Sequence, residues 1–140
     1  MSSQPAGYSG TPLIKKLGLQ AGQRSAVINA PDNYTELLGP LPEGVELDRK
    51  LGAKQDFLHY FQKQRASLEA DFPQLKASLA YSGMLWISWP KQASKVETDI
   101  NENVVREIGL DNGLVDVKVA AIDQIWSGLK FMYRVEDRPK

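Results

Sequence analysis

The stretch Leu114–Val135, LVDVKVAAIDQIWSGLKFMYRV, decides the fold of this 140-residue chain. In Leu114–Asp123, Val115, Val117, Val119 and Ala121 share one side of an extended segment, which is the two-residue period of a strand. Leu129–Val135 repeats the pattern with Leu129, Phe131, Tyr133 and Val135. The connection Gln124–Gly128 is too short for a crossover, so the two strands are predicted to pair antiparallel.

Upstream of this hairpin the chain alternates between strands and helices. Asn101–Ile108 (NENVVREI) reads as a helix, opened by Asp99 with Glu102 three residues later and closed by Asp111-Asn112-Gly113; the Asp99–Glu102 spacing is that of a capping box. Met84–Trp89 (MLWISW) and Asp56–Phe61 (DFLHYF) are apolar on both faces, as central strands of a parallel sheet are. Between them Gln64–Leu79 places Leu68, Phe72, Leu75 and Leu79 at helical spacing. Pro73 is expected to kink that helix near Asp71, and Tyr81-Ser82-Gly83 to turn the chain into the next strand. Pro90–Thr98 reads as a polar loop. Nearer the N-terminus, Thr11-Pro12 opens a short helix that Gly18 ends. Ser25–Asn29 (SAVIN) is the first strand, Asn33–Leu38 a short helix, and Val45–Leu47 a weak second strand.

Alternating β and α elements argue a doubly wound, mainly parallel α/β sheet with right-handed crossovers, closed by the C-terminal antiparallel hairpin. One domain is expected over residues 11–137. A Ser-, Gly- and Pro-rich lead covers 1–10, expected to be mobile, and 138–140 form a tail. Lys+Arg and Asp+Glu both number 17, so no global charge draws the chain to nucleic acid or an anionic membrane. With no cysteine and one histidine, disulfides, thiolate metal sites and a cysteine nucleophile are excluded, and a metal centre is not expected. The N-terminal segment has neither an apolar core nor an Arg-rich amphipathic pattern, so no secretory or transit signal is expected, and the cytoplasm is the expected location.

The terminal hairpin and the helix-turn-strand Leu79–Ser88 (LAYSGMLWIS) resemble the S-adenosylmethionine-dependent methyltransferase fold more than a dehydrogenase Rossmann domain. GYSGTP at 7–12, NAP at 29–31, LLGPLPEG at 37–44, WPK at 89–91, LVDVKV at 114–119 and WSGLKF at 126–131 resemble a small bacterial family, domain of unknown function number 3052. That resemblance implies a stand-alone bacterial domain and no established chemistry. His59-Tyr60-Phe61-Gln62 departs from the family's pattern beside the aromatic strand.

The turn after the first strand, Ala30-Pro31-Asp32-Asn33-Tyr34, has no glycine. Methyltransferases bring their cofactor against this turn, where glycine permits close backbone approach, and Pro31 also removes a donor. No cofactor is therefore expected. His59, in mid-strand with Phe57 and Phe61 on the same face, reads as a packed core residue with one ring nitrogen satisfied rather than a general base. No serine lies in a Gly-x-Ser-x-Gly elbow. Asn29, Asp32, Gln62, Lys63 and Lys91 follow strands expected to be parallel, so they should reach the carboxyl edge where ligands of such sheets bind. Trp89 is expected to cover part of that rim, and Trp89 with Trp126 to offer an interaction surface. The preferred expectation is a non-catalytic binding or regulatory module with an unidentified protein partner or small anionic ligand. The alternative is an enzyme or sensor taking a small anion or nucleotide at the same edge, which a pocket lined by Asn29, Asp32, Gln62, Lys63 and Trp89 would favour.

Overall fold

A computed structural model describes residues 12–139. The expected lead 1–10, Thr11 and Lys140 lie outside the described residues. The elements are α1 (Leu13–Leu17), β1 (Ser25–Ile28), α2 (Tyr34–Leu38), β2 (Leu47–Asp48), β3 (Gln55–Phe61), α3 (Arg65–Ala77), β4 (Leu79–Pro90), α4 (Glu102–Asp111), β5 (Leu114–Ala121) and β6 (Trp126–Tyr133). The six strands form one sheet in the order β2-β1-β3-β4-β6-β5. β6 runs antiparallel to both β4 and β5, and β1, β2, β3 and β4 pair in parallel. This is the predicted doubly wound α/β sheet, with the hairpin inserted so that β6 lies between β4 and β5.

Two apolar layers hold the helices to the sheet. On one face α3 and α4 bring Leu68, Phe72, Leu75, Val105 and Ile108 onto Leu58, Tyr60, Leu85, Ile87 and Phe131. Gly109 lets α4 lie directly on this layer, because a Cβ there would collide with the Phe131 ring. On the other face Leu17 of α1 and Tyr34 and Leu38 of α2 pack on Val27, Phe57, Phe61 and Trp86. The Trp86 indole N–H donates to the Leu17 carbonyl at 2.8 Å. The left-handed Gly18 that ends α1 sits against Met84, and Ala120 of β5, Ile122 just after it and Trp126 of β6 belong to this same layer.

Several local expectations are corrected. Asp99 does not cap α4. Asn101 does, its side chain accepting from Val104 N at 2.9 Å. Asp99 Oδ1 instead accepts from Arg65 N at 2.6 Å, capping α3 from a distant segment. α3 runs through Pro73 without a break; the ring lies on the exposed side, where water can serve the carbonyl that lost its partner. Tyr81–Gly83 is part of β4 rather than a turn. Leu79 pairs with Gln55 and Met84 with Phe57, so five steps of β4 match two of β3 and the extra residues are absorbed as a bulge. The shared face proposed for Val115, Val117, Val119 and Ala121 is broken by a second bulge. Val115 pairs with Met132, Asp116 with Phe131 and Lys118 with Lys130, leaving Val117 unpaired. Val117 and Val119 are exposed, and Leu114, Ala120 and Ile122 are the buried residues of this segment.

Candidate functional site at the carboxyl edge of the sheet

Because β1, β3 and β4 are parallel neighbours, the segments after them emerge on one edge. The turn after β1 is built by its own side chains. Asn29 takes the left-handed conformation, φ +60°, and its amide Nδ2 donates to the Phe61 carbonyl at 3.3 Å, tying the end of β1 to the end of β3. Tyr34 then turns inward. Its ring is fully buried, edge-on to both His59 and Phe61, and its hydroxyl lies 2.9 Å from His59 Nδ1. His59 Nε2 lies 2.7 Å from Ser88 Oγ, and His59 stacks on Phe61 at 4.2 Å.

His59 is thus a core residue, but with both ring nitrogens satisfied rather than the one expected. Burial pulls its pKa down to about 3, because desolvation disfavours the imidazolium, and it likewise raises that of Tyr34. The Tyr34–His59–Ser88 chain is neutral near pH 7 and fully buried, so its geometry offers a hydrogen-bonded pin between α2, β3 and β4. It does not place a base against a solvent-borne substrate.

Beyond β3 the chain is also braced. The Gln62 side-chain oxygen accepts from the backbone N–H of Lys63 and Gln64. Its amide donates to Tyr60 Oη at 3.0 Å, and that hydroxyl donates to Asp71 at 2.6 Å. Gln62 is therefore occupied by the turn it sits in. Opposite it, Thr98 Oγ1 donates to the Lys63 carbonyl at 2.6 Å and Asp99 caps Arg65, so the segment after β4 is fastened across the β3–α3 turn.

Two open clefts flank this fastening. One, of about 560 Å³, is lined by Lys63, Gln64, Val96, Glu97, Thr98 and Asp99. The other, of about 500 Å³, shares Val96–Asp99 and is floored by Trp89, Pro90 and Ile100, with Lys95 at its side. Of the residues singled out in the sequence, Lys63 and Trp89 line these clefts. Asn29, Asp32, Gln62 and Lys91 line neither. Asn29 and Asp32 are exposed in the turn after β1, and Lys91 is half-buried with its N–H donating to the Ile125 carbonyl at 2.7 Å. Trp89 does not cover the rim; it is buried in the α3–α4 layer. Trp126 opens β6, half-buried, with its ring edge-on to Phe61 at 5.0 Å. Glu97 and Asp99 line the first cleft with Lys63 and the second with Lys95, so both clefts are mixed in charge. The polar segment Val96–Asp99, read from sequence only as loop, is the main lining; its Thr-x-Ile and Asp spacing carries no signal that would have marked it.

Among the described residues no group of three or more His, Asp or Glu could hold a metal ion, and no helix is long and apolar enough to cross a membrane. Similarity to solved structures follows the sheet. The chain resembles a SAM-dependent methyltransferase from Aquifex aeolicus, with a TM-score of 0.58 and 17% identity, over 87% of this chain and 88% of that one. It also resembles the magnesium protoporphyrin IX methyltransferase ChlM from Synechocystis PCC 6803 with bound SAM, with a TM-score of 0.56 and 13% identity over 87% and 74%. A third is the fibrillarin of Aeropyrum pernix in complex with S-adenosyl-L-methionine, at 0.55 and 14% over 90% and 70%. At these identities the likeness is one of fold. No family model matches the chain, and no curated protein does.

Proposed function

We propose that this chain is a non-catalytic binding or regulatory module of the bacterial cytoplasm, built on a methyltransferase-like scaffold and recognising its partner at the carboxyl edge of the sheet. The observation that carries this reading is the turn after β1. Where a cofactor-binding sheet offers glycine and free backbone N–H groups, this chain has Asn29 bonded to Phe61, Pro31 without an N–H, and the Tyr34 phenol driven into the core. The residues present do not fit the close approach of S-adenosylmethionine to that turn. The braced clefts between the β3–α3 turn and Val96–Asp99 are the recognition surface in this reading. The apolar floor of the second cleft and the mixed charge of both suit a segment of a protein partner better than a bare anion.

A thermal-shift screen of S-adenosylmethionine, nucleotides and phosphate tests it, since a ligand of the native state raises the melting temperature with its concentration. The reading expects no response to S-adenosylmethionine. It also expects that any ligand of the clefts loses its effect in Lys63→Ala, with stability changed by no more than about 0.5 kcal/mol. A rise with S-adenosylmethionine that saturates would overturn the module reading.

A further inference from the structure

The face of the sheet that carries α1 has a second, separate feature at β6 and β5. One row of cross-strand partners runs over this face as His59, Trp86, Lys130 and Lys118. The two lysines stand directly opposite each other on neighbouring strands. Like charges in that relation repel, and among the described residues neither lysine is in an ion pair with a carboxylate. No acidic side chain occurs in the chain before Asp32, so the segment preceding α1 cannot supply one.

The arrangement is built by the β5 bulge. Regular pairing would bring Val117 opposite Lys130. The bulge leaves Val117 unpaired and turns Lys118 to that place, and bulges are known to re-aim side chains in this way. It is pinned from the far face, where Asp116 accepts from Arg106 Nε at 2.9 Å and Arg106 also pairs with Glu102 of α4. Lys130 lies over the Trp86 ring, 5.9 Å from its centre, a position that fixes its ammonium. Burial holds the Lys130 pKa below its ordinary value, and Lys118 beside it pushes the same way. Lys16 of α1 donates to the Ala121 carbonyl at 3.1 Å, three residues further along β5.

We infer that Lys118 and Lys130, set opposite each other by the β5 bulge, form a binding site for a doubly charged phosphate group. A dianion between the two ammonium groups replaces their repulsion with two charge-assisted hydrogen bonds. The site is independent of the carboxyl edge and of the module reading.

The test is titration of the full chain, labelled with nitrogen-15, with inorganic phosphate and in parallel with a small organic phosphate monoester, glycerol 3-phosphate. Saturable shifts are expected at the Trp86 indole N–H and in the Lys118–Ala121 and Gly128–Lys130 amides. Lys118→Gln and Lys130→Gln should each weaken binding about tenfold, the loss of one charged hydrogen bond, and Lys63→Ala should not. A second readout separates this from a fold defect. Lys118→Gln should raise the melting temperature without phosphate, because the repulsion is gone, and should lose the rise that phosphate gives the parent chain. Tighter binding of the monoester identifies an organic phosphate as the ligand, and equal binding identifies free phosphate. Shifts that never saturate, that map to Lys63 and Lys91, or that survive unchanged in Lys118→Gln would overturn the inference.

Discussion

His59 shows how a residue's chemistry is set by its surroundings. A lone histidine invites a catalytic role, yet the same ring between Tyr34 and Ser88 is a neutral core group whose pKa lies near 3. The sign of the linkage follows. The folded pKa lies below the ordinary value near 6.5, so the unfolded chain binds the extra proton first. Stability from this group is fully present above about pH 6.5 and declines as the pH falls toward about 3. Chemical unfolding of the parent chain should therefore lose stability over that range more steeply than His59→Gln, by at most about 1.4 kcal/mol per pH unit. Equal slopes would show that His59 is not the group that charges. At neutral pH, Tyr34→Phe should cost about 1–3 kcal/mol, because it leaves a buried imidazole nitrogen without its partner. A variant as stable as the parent would mean that the hydroxyl bond contributes nothing.

At the scale of elements, α4 and the segment before it join the sheet's layers to its edge. Gly109→Ala should gain helix propensity and still destabilise by about 1–3 kcal/mol, because the added Cβ meets the Phe131 ring. Denaturant unfolding checks the sign. Asp99→Ala should cost about 1 kcal/mol through α3, whose first N–H it caps, and not through α4; hydrogen exchange should quicken at the start of α3. The elements were legible where periodicity is strong. β3, β4 and the hairpin strands show two-sided or alternating apolar patterns, and those strands formed. What was illegible depends on contacts distant in sequence. Two acceptors stand two residues apart, Asp99 and Asn101, and only the fold decides that the first serves Arg65, 34 residues away. Both bulges were likewise hidden: alternation in Val115–Ala121 looks regular until Asp116 is fastened to Arg106 and Lys118 turns to the other face.

For the whole molecule, parallel strands bring the ends of β1, β3 and β4 to one edge, and chain order alone predicts that. It does not say which edge residues stay free. Asn29 and Gln62 are consumed by the turns they brace, Trp89 by the core, and of the proposed polar residues Lys63 remains beside a cleft. The missing glycine of the first turn was visible in the sequence. The Tyr34 ring that takes its place was not, because a tyrosine in a turn carries no mark of where its side chain goes. In this methyltransferase-like sheet the first turn is closed by its own side chains, Asn29 on Phe61 and Tyr34 on His59. The most direct measurement is calorimetric titration of the full chain with S-adenosylmethionine at micromolar concentration. No saturable heat is expected. Stoichiometric, saturable binding would contradict that closure, and with it the reading of this chain as a non-catalytic module.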